Sequence, residues 1–401
     1  MTDHSLLPIR SLETLDVDDF YTSPISTLIP ALTSAFDLRG IRRRGHSLRT
    51  CAIGMQLAAK IGLADDDLQN LYYALLFASD CTLIHLNRTN GFRYELATRF
   101  VQYFALSPEI ACLICATPHC RGENEGMQGF RKNRPVLALI ISVAIALASG
   151  VDQCVYAAAI NTLLHRPETS IVSDTVLELS SSESPMVVWD ELTSSELLSH
   201  VIALEPRRSN FSDRRLTIDG ICLAFALIAD SNSAGFIAHS VGVARVAVSI
   251  AKLMGLDRKN IKLLQRAALV HDIGKIGVRY AVLEKSEALT LDEWRDIHRH
   301  PGYTKKILDM IPGFDEISAI AVAHHEKLDG SGYPCGLNAS ELPLPARILT
   351  VADIYDALSS QRPYRRPLGR EEALAIMNRE APRALDQGCL DALAMATSHG
   401  S

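Results

Sequence analysis

The chain of 401 residues is long enough for two domains, each with its own hydrophobic core. Its formal net charge of −6 at pH 7 lacks the basic balance typical of proteins that bind nucleic-acid polymers. Nine scattered cysteines, an odd number, argue against a secreted disulfide framework. The opening MTDHSLLPIR does not have the pattern of a signal peptide, so we expect a cytoplasmic protein.

Apolar residues recur three and four positions apart along most of the chain, without sustained strand alternation, which predicts an all-α fold. The pattern occurs twice. The first copy begins HSLRTCAIGMQLAAKIGLADDD at His46, and the second begins HSVGVARVAVSIAKLMGLDRKN at His239. Gly62 aligns with Gly255, where glycine suits a left-handed helix end. The apolar positions that we expect to form one buried stripe are Ile53 with Val246, Leu57 with Ile250 and Ile61 with Met254.

This repeat predicts two tandem helical domains of related fold. We divide the chain into an N-terminal tail (residues 1–30), a first domain (31–206) and a second domain (207–401). The polar stretch 205–215 is the candidate boundary. The longest apolar run, residues 136–148, is too short to cross a bilayer and predicts a buried core helix.

The two copies differ at the position of a His-Asp pair that is present only in the second copy. His271 and Asp272 of the second copy align with Ala78 and Ser79 of the first. Asp80 comes one residue late, which turns it about 100° around a helix. We therefore expect the first domain to have kept its packing, to bind no metal and to serve a regulatory role.

The second domain concentrates residues that bind metals. A lone histidine is more often a structural residue, but five histidines and two aspartates at hairpin-like intervals favour a metal site. Imidazoles combined with carboxylates suit iron, manganese and other transition ions, and one carboxylate can bridge two of them around a shared hydroxide. The candidate ligands are His239, His271, Asp272, His300, His324, His325 and Asp353.

Four motifs now make a family resemblance visible. HDIGK begins at His271, HRHPGYTKKIL contains His300, HHEKLDGSGYP begins at His324, and ILTVADIYDALSSQRPYRR contains Asp353. In order and spacing they resemble the HD-GYP domain over about residues 215–395. The resemblance implies an all-helical HD-superfamily phosphohydrolase that uses a metal-bound hydroxide to hydrolyse cyclic di-GMP to pGpG or GMP in bacterial signal transduction. The first domain would be a degenerate HD-like domain.

The same resemblance assigns roles to individual residues. The seven candidates would be the metal ligands, and Asp272 and Lys275 would be catalytic. Lys275 would also meet the substrate phosphate, together with a loop that could instead receive a protein partner. That loop and two arginines complete the expected substrate-binding set, which is Lys275, Gly332, Tyr333, Pro334, Arg362 and Arg365.

The sequence also departs from the family pattern. Gly235 stands where members with three metals carry a glutamate, so we expect two divalent ions, iron or manganese. Gly242 replaces a common arginine and weakens its helix by up to about 1 kcal/mol. The open alternatives are an HD phosphohydrolase acting on another cyclic dinucleotide or nucleotide, and a poorly active signalling module that binds nucleotide or a partner. Arg362 and Arg365 could instead pair with Asp356 at the surface, and a homodimer is an alternative to a monomer.

Overall fold

The computed structural model of the chain describes residues 20–21, 23, 25–38, 44–81, 90–115, 134–149, 195–206, 216–231, 239–283, 285–360 and 366–398. Within these residues the regular structure is helical. The β-type pairing there consists of two isolated bridges, Phe20 with Thr217 and Asp329 with Asn338. The fold is therefore all-α, as the periodicity predicts.

The chain forms two compact units. One is Pro24–Leu216, and the other is Thr217–Ser401 together with Met1–Ser23. We call them the N-terminal and the C-terminal unit. The boundary expected after residue 206 stays a prediction.

The N-terminal unit opens with a 3₁₀ turn, Ile25–Leu28. Its core holds the buried rings of Tyr72, Tyr73 and Phe104, and the Tyr72 hydroxyl donates to the carbonyl of Val201 at 2.9 Å. Its helices are α1 (Ile29–Leu38), α2 (His46–Ile61), α3 (Asp65–Cys81), α4 (Asn90–Tyr103), α5 (Pro108–Cys115), α6 (Arg134–Ser149) and α7 (Leu197–Ala203).

The C-terminal unit carries the remaining helices and two short 3₁₀ turns, Ile273–Gly277 and Ala323–His325. Helix α9 packs on α10 and on the long α15, so these three form its centre. The helices are α8 (Ile218–Ser231), α9 (His239–Leu253), α10 (Arg258–Val270), α11 (Tyr280–Leu283), α12 (Leu291–Ile297), α13 (His300–Leu308), α14 (Asp315–Val322), α15 (Leu344–Ser359), α16 (Arg370–Asn378) and α17 (Gln387–Ala396).

The repeat predicted from the sequence has the same local structure in both copies. Helices α2 and α9 begin at His46 and His239, and the glycines that follow them have left-handed φ values, 73° at Gly62 and 75° at Gly255. The expected stripe is only partly buried. Leu57, Ile53 and Ile250 are buried, whereas Ile61, Val246 and Met254 are half-buried. In α9 the buried positions include Val243, Ala247 and Ile250, so the buried face of the helix differs from the stripe expected from the repeat.

The apolar run 136–148 lies within α6 and is largely core, with Ile140, Ile141 and Val143 fully buried. It is the core helix that its length predicts. Among the described residues, none of the helices combines the length and the apolarity needed to cross a membrane.

Candidate metal centre

The predicted ligands come together because most of them stand at helix ends that meet at one point. His239 begins α9, His271 directly follows α10 as its C-cap and His300 begins α13. Asp272 follows His271, and the 3₁₀ turn Ala323–His325 supplies the adjacent histidines. Asp353 projects from the middle of α15. At helix ends the side chains can turn toward a shared centre. Six of the seven predicted ligands are at least nine-tenths buried, and His325 is half-buried.

One half of the cluster surrounds a single oxygen of Asp272. Its Oδ2 lies 3.6 Å from Nε2 of His239 and 3.4 Å from Nε2 of His271. Oδ1 of Asp353 lies on the same side, 3.2 Å from His239 Nε2 and 3.7 Å from His271 Nε2. Ligand atoms of His239, His271 and Asp353 all lie within 4.8 Å of one another, which allows them to hold one ion.

The other half faces the second oxygen of Asp272. Oδ1 lies 3.4 Å from Nε2 of His300 and 3.6 Å from Nε2 of His324. His325 belongs to this half, because ligand atoms of His300, His324 and His325 also lie within 4.8 Å of one another. One carboxylate thus faces a different group of imidazoles with each oxygen. This is the arrangement that a bridging ligand between two ions needs.

Backbone carbonyls fix the orientation of three of the imidazoles. Nδ1 of His271, His300 and His324 each lies 2.7 Å from the carbonyl oxygen three residues earlier. A carbonyl can only accept, so Nδ1 carries a proton and Nε2 is the nitrogen that faces the centre and could bind an ion once it is unprotonated. At His239 a carboxylate plays this part, since Nδ1 lies 2.7 Å from Oδ2 of Asp356.

The donor set fits divalent metal ions. Nε2 of His271 and Oδ1 of Asp272 are buried and form no hydrogen bond within the described residues. Buried polar atoms normally have a partner, and a metal ion would satisfy both. Neutral imidazoles and carboxylates together suit iron and manganese. Among the described residues, the clusters of side chains that could hold such an ion lie in the C-terminal unit.

The pKa values divide the histidines into two classes. Burial lowers the pKa of His239, but the carboxylates of Asp353 and Asp356 outweigh it and raise the pKa to about 9. Burial likewise lowers the pKa of His271, and Asp272 and Asp353 raise it to about 10. At the remaining imidazoles burial prevails, and the pKa is lowered at His300, at His324 and at His325.

Lys275 places a cation next to the bridging carboxylate. It lies in the turn Ile273–Gly277, and its Nζ donates to Oδ2 of Asp272. Burial raises the pKa of Asp272, but His271 and Lys275 outweigh it and hold the pKa well below its usual range. Asp272 is therefore ionised at neutral pH, as a bridging ligand must be.

A buried glutamate holds the turn that follows the paired histidines. Glu326 is 1% exposed and accepts the backbone N–H groups of Cys335 at 2.6 Å and Leu337 at 2.9 Å. Gly332 allows the loop backbone to approach the backbone of His325, because a Cβ at position 332 would lie 2.5 Å from the carbonyl oxygen of His325. These two contacts keep the loop beside the ligand pair.

Tyr333 connects this loop to the cluster. Its N–H donates to the carbonyl of His325 at 3.1 Å, and its ring centroid lies 4.7 Å from the His325 ring. On its other side the ring stacks on His298, with centroids 4.0 Å apart and planes 22° apart. Tyr333 is half-buried, and Pro334, which follows through a cis peptide bond, is exposed.

Sequence reasoning missed the part that Asp356 and Gly242 play together beside His239. A Cβ on Gly242 would lie 2.2 Å from Oδ1 of Asp356, so the missing side chain makes room for the carboxylate that orients His239. Asp356 stands three residues after Asp353 on α15, a spacing that puts both carboxylates on one helix face and could have revealed the pair. Glu326 was also missed, since it belongs to no ligand pattern.

Three residues singled out from the sequence lie outside the described residues: Gly235, Arg362 and Arg365. Their predicted parts remain predictions. Asp356, the partner weighed for the two arginines, is 8% exposed and contacts His239.

A cavity of about 580 Å³ adjoins the cluster, within the usual size range of small-molecule sites. Asp272, Lys275 and His325 line one part of it. Most of the rest is apolar and includes Leu289, Trp294, Ile297, Ile354 and Leu358, with Lys285, Ser286 and Glu287 as polar residues of this part. The cavity thus combines a charged metal-binding part with a largely apolar part.

Comparison with known proteins agrees with this geometry. The HD domain family matches residues 221–388. The chain is 29% identical to 3′3′-cGAMP-specific phosphodiesterase 3 of Vibrio cholerae, over 94% of this chain and 95% of that protein. It is 40% identical to the cyclic di-GMP phosphodiesterase response regulator RpfG of Xanthomonas campestris, but over only 38% of this chain and 40% of that protein.

A solved structure is similar along the same length. It is that of a cyclic GMP-AMP specific phosphodiesterase from V. cholerae, 26% identical, with a TM-score of 0.57 and coverage of 94% of this chain and 98% of that one. With the ordered motifs and the clustered histidines and aspartates of the C-terminal unit, these findings identify residues 221–388 as an HD domain and show that the chain is similar to cyclic dinucleotide phosphodiesterases along most of its length.

Proposed function

We propose that the C-terminal unit hydrolyses a phosphodiester bond of a 3′,3′-linked cyclic dinucleotide and uses two divalent ions, iron or manganese. The observation that carries the proposal is the position of Asp272, whose two oxygens face two separate groups of imidazoles. A single-ion site would need only one of these groups. The proposed ligands are the seven residues of the cluster, His239, His271, Asp272, His300, His324, His325 and Asp353.

For the substrate, 3′3′-cGAMP is the first candidate and cyclic di-GMP the second. The relative named for cGAMP aligns along 94% of this chain and therefore through both units. The response regulator named for cyclic di-GMP aligns along 38%. Cyclic di-GMP, which the motifs suggest, stays a candidate because the ligand cluster and Lys275 contact phosphate in the proposal and do not distinguish the bases.

Each part of the site has a role in the proposed reaction. Two bound ions would polarise the phosphate and lower the pKa of a water molecule. Asp272 sets the distance between the two halves of the cluster. Lys275 neutralises part of the charge on Asp272 and on an incoming phosphate. The loop at Gly332, Tyr333 and Pro334 forms the edge of the site for substrate, with a protein partner as the alternative.

The N-terminal unit is proposed to be regulatory and free of metal. Ala78, which aligns with His271, is a fully buried apolar residue and offers no ligand atom. Tight metal binding by the full chain should therefore depend on the C-terminal cluster alone. A chain with both His271→Ala and His324→Ala should purify without bound metal, and metal retained at one ion per chain would contradict this role.

The function is tested by hydrolysis with protein purified without oxygen and loaded with iron or manganese. We expect linear dinucleotide or mononucleotide products from 3′3′-cGAMP, cyclic di-GMP or both, and none from Asp272→Ala. Faster turnover of cyclic di-GMP would reverse the order of the two candidates. Hydrolysis of neither by metal-loaded protein would leave the poorly active signalling module as the better account.

A further inference from the structure

Trp294 is an exposed aromatic residue at the cavity. It lies in α12, lines the cavity and leaves 48% of its surface exposed. The start of α12 is firmly built: Thr290 and Glu293 form a capping box, and Glu293 is paired with Lys285 at 2.7 Å. An indole held on such a frame, with half of its surface uncovered, offers a flat apolar face at little entropic cost.

An aromatic series joins this indole to the metal centre. The Trp294 ring centroid lies 5.6 Å from that of His298, and His298 stacks on Tyr333 at 4.0 Å. Tyr333 in turn lies 4.7 Å from His325, a proposed ligand. Trp294 is thus two ring contacts away from the loop tyrosine and three from the cluster, within one cavity.

The cavity around the indole suits a base better than a phosphate. The apolar residues that line the cavity together with Trp294 include Leu289, Ile297 and Ile354. The charged lining groups Asp272 and Lys275 belong to the metal-binding part. Outside that part, Lys285 is paired with Glu293, and the negative charge of Glu287 would repel a phosphate. A molecule with a phosphodiester and two attached bases would match this division, because it could place phosphate on the charged part and a base on the apolar part.

We propose that Trp294 stacks on one purine base of the bound cyclic dinucleotide while the scissile phosphodiester lies at the metal centre. The assignment rests on the proposed function. A stacked indole contacts the π face of a base, which guanine and adenine share. Trp294 therefore provides affinity without distinguishing cyclic di-GMP from 3′3′-cGAMP, and that choice is made elsewhere in the site.

Kinetics of matched variants test the assignment. Stacking of a base on an aromatic side chain is lost on alanine substitution, so Trp294→Ala should raise KM on the order of tenfold for 3′3′-cGAMP and cyclic di-GMP alike. The value of kcat should change less than about threefold, and Trp294→Phe should restore most of the affinity. Leu291→Ala removes another exposed apolar residue of α12, 78% exposed and not part of the cavity lining, and should leave KM unchanged. An equal effect of Trp294→Ala and Leu291→Ala overturns the proposal, as does a loss confined to kcat.

A binding measurement separates this proposal from the proposed function. The chain has two tryptophans, so the full chain with Trp189→Phe reports on Trp294 alone. Adding the linear dinucleotide pGpG should quench its fluorescence saturably, whereas ribose 5-phosphate, which has no base, should not. Quenching without any hydrolysis would support the stacking site and reject the phosphodiesterase. Hydrolysis without quenching, or equal quenching by ribose 5-phosphate, would reject the stacking site alone.

Discussion

At the scale of single residues, the proposed metal centre depends on the carboxylate of Asp272, which faces two groups of imidazoles. Asp272 is 3% exposed, is ionised through His271 and Lys275, and directs one oxygen to each half of the cluster. Asp353 also reaches both halves, with Oδ1 3.2 Å from Nε2 of His239 and Oδ2 3.9 Å from Nδ1 of His325, but Asp272 lies closer to the second half, 3.4 Å from Nε2 of His300. Removal of Asp272 should therefore affect both ions, whereas the loss of one histidine should affect one.

We expect Asp272→Ala to lose at least one ion and nearly all turnover while the helical content is unchanged, because the change is confined to a polar site. Metal analysis and circular dichroism of the purified protein measure these effects. Asp292→Ala, which removes an exposed carboxylate paired with Arg295, is the matched control and should resemble the wild type. Two retained ions with normal hydrolysis would show that Asp272 is not a bridge.

Gly242→Ala tests the carboxylate behind His239. The new Cβ would lie 2.2 Å from Oδ1 of Asp356 and should displace that carboxylate from Nδ1 of His239. Losing such an outer partner weakens metal binding by about 10- to 100-fold, so we expect a drop of that order in affinity for manganese. Gly302→Ala is the control, since no atom lies within 4 Å of its added Cβ. Equal affinities for the two variants in a metal titration would contradict this role of Gly242.

The raised pKa values predict that metal binding releases protons. In the metal-free protein His239, with a pKa of about 9, and His271, with a pKa of about 10, are protonated at pH 7. A bound ion needs neutral imidazoles, so the ion competes with these protons and its affinity should rise as the pH rises from 6 to 9. The pKa of His324 is lowered to about 4, so this ring is already neutral at pH 7 and releases no proton.

Manganese titrations at pH 7 in buffers of different ionisation enthalpy measure this release. We expect a net release of protons to the buffer. An affinity that falls with rising pH, or heats that do not depend on the buffer, would contradict the assigned charges.

At the scale of elements, the loop after His325 is organised by contacts that its sequence motif does not reveal. Glycine is required at position 332 because the loop backbone passes close to the backbone of His325. Glu326 holds the other end of the loop by accepting the N–H groups of Cys335 and Leu337. Tyr333 is then left between His298 and His325. The metal ligands and the substrate edge are thus consecutive parts of one short segment.

Glu326→Ala should loosen this loop and leave the metals bound, because Glu326 is not among the ligand groups. Charge-assisted hydrogen bonds contribute about 1.5–3 kcal/mol each, so hydrogen exchange at Cys335 and Leu337 should accelerate strongly. Glu341→Ala, which removes an exposed carboxylate that accepts the N–H of Asn338, should leave exchange at these two residues unchanged. Unchanged protection in Glu326→Ala would mean that the loop is held by other contacts.

At the scale of the whole molecule, periodicity and repeats predict much of the architecture, because helix packing repeats every three or four residues. The alignment of His46 with His239 correctly gives the first residues of α2 and α9. Spacing also shows that the ligand candidates recur at hairpin-like intervals. It cannot give the pairing of Asp356 with His239, since that contact joins residues 117 positions apart and depends on the missing Cβ of Gly242.

The stacking role proposed for Trp294 could not be predicted from the sequence, for a similar reason. In the sequence its position in DEWRDI is that of any helix surface residue, and only the fold brings it to the cavity that Ile354 of α15 also lines. The identity of the base that it would meet is not encoded in any local pattern. Metal ligands come from a small set of residue types, so they are easier to predict from the sequence than residues that contact a substrate.

We propose that the C-terminal cluster holds two ions and that both are needed for hydrolysis. A stepwise titration of the metal-free chain with manganese tests this, with bound ions per chain and the rate of 3′3′-cGAMP hydrolysis followed together. We predict that binding saturates at two ions per chain and that activity appears with the second. Full activity with one ion, saturation at three, or two bound ions without hydrolysis of either 3′3′-cGAMP or cyclic di-GMP would contradict the account.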